Sequence, residues 1–119
     1  MNIQIFGTKK SSDTRKAERW FKEHRIKAQM IDLADKGISR GELRSAAQSC
    51  GGLDALLDPD CRDRDALALV QYTAAAQKED AVLENPQVLK QPIVRNGKRA
   101  AVGYCPEVYA KWQAEEAGK

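Results

Sequence analysis

Histidine is almost missing. His24 stands alone among 119 residues, which removes a Ser-His-Asp triad and any multi-histidine metal centre at once. Cysteine is scarce too: Cys50, Cys61 and Cys105 form an odd, widely spaced set. Such a set builds no disulfide framework and matches no paired zinc pattern, so no bound metal and a reducing, cytoplasmic setting are expected. No run approaches the ~20 apolar residues of a membrane helix. Met1 to Phe6 shows no basic stretch leading into an apolar one, so neither export nor membrane association is expected. Neither sign of charge dominates, since 20 Lys and Arg against 17 Asp and Glu leave +3. Aromatic residues make up 6% and do not interleave with basic ones, which argues against direct nucleic-acid binding. The basic excess is local: residues 1–27 hold eight basic and three acidic side chains.

What remains is a mixture suited to one folded domain, 42% hydrophobic and 31% charged, over residues 1–119. Asn2 to Phe6 alternates polar and apolar before Gly7, as a short strand does. Ser11, Ser12, Asp13 and Thr14 can each cap a helix, and Ala17, Trp20, Phe21 and His24 then recur on one helical face. Lys27 to Leu33 returns to a strand pattern, giving strand, helix, parallel strand. Ser39-Arg40-Gly41-Glu42 reads as a capping box opening a second helix, with Leu43, Ala46, Ala47 and Cys50 as its core face and Gly51-Gly52 as its stop. Asp58 to Asp65 reads as a charged loop exposing Cys61, and Ala66 to Glu84 as two helices divided near Thr73. Asn96-Gly97 between two short apolar runs predicts a hairpin turn, and Pro106 opens a last helix burying Val108, Tyr109 and Trp112.

This order, β-α-β, a helical insertion over about 39–84, a β-hairpin and a C-terminal helix, is that of an α/β thioredoxin-like fold. Ile5 to Ala17, with Thr8-Lys9-Lys10-Ser11-Ser12-Asp13-Thr14-Arg15-Lys16-Ala17 at its heart, resembles the opening of the ArsC, Spx and YffB group of arsenate-reductase-like proteins. Asn85-Pro86, Leu89, Pro92-Ile93-Val94 and Val102-Gly103-Tyr104 resemble two further motifs of that group, in the same order. The resemblance implies that the nucleophilic cysteine falls on Ser11, and that Pro92 is the cis-proline facing a bound substrate or partner. It implies also that three oxyanion-holding arginines fall near Asp58, on Gln91 and near Cys105. None of the four is conserved in type. A serine hydroxyl is too weakly acidic to replace a thiolate and forms no mixed disulfide, and a carboxylate repels the anion a guanidinium holds.

Arsenate reduction is therefore not expected of this sequence. A protein-interaction or specialised redox role is, and the resemblance to Spx implies RNA polymerase as a partner. The alternative is a thiol-dependent oxidoreductase linked to glutathione and glutaredoxin, which would need cysteine at position 11; otherwise no cofactor is expected. Ser11, Ser12, Asp13, Thr14 and Arg15 fit either a helix cap or a weak small-anion site. Cys105 fits either a buried apolar residue or a relocated redox thiol near the Ser11 loop, and a pairing with Cys61 stays open.

Overall fold

The protein is described over residues 1–118 by a computed structural model. A four-stranded sheet of order β2-β1-β3-β4 carries five helices. Strand β1, Ile3–Gly7, pairs parallel with β2, Ala28–Asp32, through the crossover helix α1, Ser12–Glu23. Strand β3, Ile93–Asn96, runs antiparallel to β1 and leads into β4, Arg99–Val102. Between β2 and β3 lie α2, Arg40–Cys50, α3, Arg64–Tyr72, and α4, Ala75–Glu84, with short 3-10 turns at Leu53–Leu56 and Pro86–Val88. Helix α5, Pro106–Ala117, closes the chain.

Alternation along the strands divides the core between the two sheet faces. Ile3, Ile5 and Val94 turn toward α1 and α5, where Ala17, Phe21, Tyr109 and Trp112 complete an aromatic-rich cluster. Phe6 and Ile93 turn the other way, onto Leu43, Leu56, Leu67, Val70 and Val82 of the intervening helices. The α2 capping box forms as predicted: Glu42 N–H donates to Ser39 Oγ at 3.2 Å and Ser39 N–H to Glu42 Oε1 at 3.0 Å. Its end at Gly51, φ 95°, is also as read from the sequence. Helix α3 stops at Thr73, where the expected division falls. Helix α1 ends without glycine: Arg25 takes φ 57°, with Arg25 N–H on Lys22 O at 3.1 Å and Ile26 N–H on Phe21 O at 2.9 Å.

Two expectations need correction. Asn96 is the last residue of β3, paired with Arg99, so the hairpin loop is Gly97-Lys98, one residue later than expected. Only Gly97, φ 62°, has positive φ there, which is the demand of a II′ turn with glycine first and not of a I′ turn. Cys61 is buried, not exposed. It packs into the core under α3, and its thiol donates to Gln87 O at 3.3 Å, so the loop's charged neighbours conceal an inward-facing residue.

Candidate functional site

The loop from Thr8 to Ser11 leaves the C-terminal end of β1 and turns straight into α1. Ser11 is the N-cap: its N–H donates to Thr8 O at 3.1 Å, and its Oγ accepts Thr14 N–H at 3.2 Å. The Ser11 hydroxyl is thus engaged in holding the helix start. The amides of Ser12 and Asp13 find no acceptor among the described residues, and they carry the positive end of the helix dipole. Arg15 folds back, donating to Lys9 O at 2.8 Å, while Lys16 stands 3.8 Å from Asp13 on the exposed side.

Gln91, next to the cis peptide bond to Pro92, points its side chain into this loop. Its Oε1 accepts Thr8 N–H at 2.7 Å, Thr8 O–H at 3.1 Å and Thr14 O–H at 3.4 Å. Thr14 is 1% exposed, a polar residue in the core, and its methyl and hydroxyl press on Gly7. A Cβ added at Gly7 would stand 2.3 Å from Thr14 Oγ1, so glycine is required for helix and strand to approach this closely. Pro92 O accepts Gly103 N–H at 2.8 Å, which fastens the end of β4 beside the same loop.

Ser11, Ser12 and Asp13 form one wall of a cleft of about 440 Å³. Asp58, Asp60, Cys61 and Arg62 face them, and Lys90 and Gln91 close it. Three carboxylates against Arg62 and Lys90 leave the cleft acidic. Asp58 is anchored there, its N–H on Val88 O at 2.8 Å and its Oδ1 accepting Asp60 N–H at 2.9 Å. A bound oxyanion would meet negative charge on both walls, opposing the pull of the free amides.

Cys105 is not part of this cleft. It precedes α5, half-buried, with its thiol donating to Val102 O at 3.3 Å. Burial pushes its pKa up, Glu107 adds to that, and Lys90 opposes it. Cys50 is likewise pushed up, first by burial and then by Cys105. A raised pKa disfavours the thiolate that redox exchange needs. All three cysteines are free thiols, and Cys61 and Cys105 pack on opposite sides of the sheet, so the structure does not join them. No group of three metal-ligating side chains occurs among the described residues. His24 stacks on Trp20 at the end of α1, its Nδ1 2.7 Å from Trp20 O.

The structure therefore assembles Ser11 to Thr14, Gln91 and Pro92, and leaves Cys105 outside. The sequence reading missed Thr8, Gly7 and Cys61. A Thr on each side of the loop and an amide before Pro92 were the available signal, but nothing in their spacing shows that Gln91 turns inward.

The family model described as ArsC family matches residues 6–112. The chain belongs to the ArsC family. A global transcriptional regulator, Spx 2 of Oceanobacillus iheyensis, is 31% identical over 87% of this chain and 78% of its own length. The global transcriptional regulator Spx of Lactococcus lactis subsp. cremoris is 27% identical over 88% and 81%. Among solved structures, an ArsC family related protein from Bacteroides fragilis superposes with a TM-score of 0.80 at 19% identity, covering 93% of this chain and 97% of that one. An arsenate reductase from Vibrio cholerae gives 0.78 at 23% identity, with the same coverage. At those identities the structural likeness establishes the thioredoxin-like α/β fold and no activity. No described helix is long and apolar enough to cross a membrane.

Proposed function

We propose that this ArsC-family chain is a protein-binding member without thiol chemistry at position 11, and that its partner docks over the α1 loop and Pro92. RNA polymerase is the partner that the resemblance to Spx implies, and two relatives bear the name of global transcriptional regulators. The observation that carries the reading is the Gln91 clamp. An arginine at this position would supply only donors to a bound anion, whereas Gln91 supplies an acceptor that three loop donors already occupy. A loop held from within, with its Ser11 hydroxyl committed to the helix cap, is a preformed surface and not a nucleophile awaiting a substrate.

This reading needs neither glutathione nor glutaredoxin, and leaves only a weak affinity for small anions at Ser12 and Asp13. Two amide hydrogen bonds and an exposed helix dipole supply about 1.3 to 4 kcal/mol, millimolar at the strongest, before Asp13, Asp58 and Asp60 are counted. The test is fluorescence anisotropy of labelled chain against RNA polymerase, beside an arsenate reduction assay with glutathione and glutaredoxin. Saturable binding that Arg15→Glu or Gln91→Ala weakens, with turnover at the protein-free blank, is expected. Turnover above the blank that persists in Cys105→Ser, or binding indifferent to both loop variants, would refute the proposal. In a parallel phosphate titration, Asp58→Arg should tighten the small-anion contact, most at low salt.

A further inference from the structure

We propose a second docking surface, independent of the α1 loop: the groove between α2 and the tip of the β3–β4 hairpin receives a short acidic segment of a partner protein. The register sets Asn96 beside Ile3 and Ile93 beside Phe6, so the hairpin tip lies at the opposite end of the sheet from the α1 loop. One wall is a single face of α2 running from Gly41 to Ser49 through Arg44, Ser45 and Gln48, and the other is Lys98 and Arg99. Every charged residue on these walls is basic, in contrast to the cleft at Ser11, where aspartates outnumber cations. Lys98 has no ion pair among the described residues. Arg44 and Arg99 hold acids that lie outside the groove, Glu79 at 2.8 Å and Glu115 at 2.6 Å.

Beneath the α2 wall the half-buried Arg95 guanidinium ties the hairpin to α2 and adds no free charge, because Glu42 of α2 stands 4.0 Å away and the Gln4 side chain accepts from it. It also reaches Ser45 Oγ at 3.3 Å and Gly97 O at 3.2 Å. The α2 wall is rigid where it meets the hairpin, because Ser49 Oγ accepts Ala100 N–H at 2.8 Å and closes the outer edge of β4. That edge is therefore not available for strand addition, and an occupant must be read by side chains.

Length and charge select the occupant. At ~1.5 Å per residue the α2 wall is about 12 Å long, which matches roughly four residues of extended peptide at ~3.3 Å each. A lone phosphate would leave most of it empty. Ser45, Gln48 and Ser49 supply neutral donors and acceptors for a peptide backbone between the cationic flanks, and Asp or Glu side chains complement the flanks themselves.

The experiment titrates the full chain into fluorescein-labelled hexaglutamate at low salt, with amide chemical shifts read in parallel. Saturable binding with shifts confined to residues 44–49 and 97–99 is expected. Lys98→Glu at the turn and Gln48→Glu on exposed α2 should each weaken it about ten-fold, and Asp58→Arg, at the far end of the sheet, should leave it unchanged. Shifts at residues 9–16 instead, or affinity indifferent to both charge variants, would overturn the proposal. So would inorganic phosphate competing at equal concentration, which would mark a small-anion site, or oligothymidylate binding the same amides more tightly, which would mark a nucleic-acid surface.

Discussion

Replacing Gln91 by alanine removes the acceptor on which Thr8 N–H, Thr8 O–H and Thr14 O–H converge. The three losses are unequal. Thr8 is half-exposed, so water can take over its donors, and only the net value of the 2.7 Å bond is lost, ~0.5 to 1.5 kcal/mol. Thr14 is 1% exposed and close against Gly7, so its hydroxyl is the donor with the least access to water and its loss costs ~1 to 3 kcal/mol. The sum is about 1.5 to 4.5 kcal/mol, and at ~0.25 kcal/mol/K for a chain of this size Tm should fall by about 6 to 18 °C. Gln91→Glu is the decisive companion because it keeps the shape and the acceptor while removing an amide donor that the clamp does not use. Near neutral pH it should stay well above the alanine variant, because its carboxylate accepts from the three donors close to the α1 N-terminus, while Asp13, Asp58 and Asp60 in the same cleft oppose its charge and keep it from exceeding the parent. Urea unfolding of the three proteins at pH 7 checks this. An alanine variant within ~0.5 kcal/mol of the parent, or a glutamate variant as weak as alanine, would show that Gln91 does not hold the loop.

Ser11→Ala should cost about 1 kcal/mol through the lost cap on Thr14 N–H, measurable by the same unfolding curves, with Ser11→Asp restoring it. Ser11→Cys should give a thiol titrating below ~8.5 by absorbance at 240 nm, since the unpaired amides of Ser12 and Asp13 favour the thiolate. Gly7→Ala should destabilise by ~1 to 3 kcal/mol, and Thr14→Ala added to it should recover part of that loss, a coupling visible in a double-mutant cycle. Burial raises the pKa of Cys50, Cys105 and Tyr109 in the folded chain. The unfolded chain therefore loses protons first, and stability should decline as pH rises through the unfolded values of ~8.5 and ~10; a flat ΔG from pH 8 to 11 would contradict these shifts.

Local signals carried most of the fold because each is closed within a few residues. Ser39 and Glu42 complete one another three positions apart, and Gly51 ends the helix they begin. Residues whose roles depend on distant partners were not legible in the same way. Cys61 sits among Asp58, Asp60, Arg62 and Asp63, yet it faces Gln87, 26 positions on, and that contact and not its neighbours decides its burial. The hairpin was placed one residue early because Asn96-Gly97 fits a I′ turn locally. The pairing of β3 with β1, Asn96 against Ile3, keeps Asn96 extended and passes the turn to Gly97-Lys98.

The candidate site shows the same division, and it bears on how the departures that the resemblance implies should be understood. Taken singly, Ser11, Asp58 and Gln91 look like three lost functional groups. The geometry gives each a partner instead: Ser11 Oγ holds Thr14 N–H, Asp58 Oδ1 holds Asp60 N–H, and Gln91 Oε1 gathers Thr8 and Thr14. All three are acceptors for donors within the protein. A guanidinium has no acceptor to offer, so arginine at 91 would strand the same donors that the alanine variant strands. Building an oxyanion site by Ser11→Cys and Gln91→Arg would therefore have to replace the Thr8 and Thr14 contacts as well, because in this chain those donors are already paired within the loop.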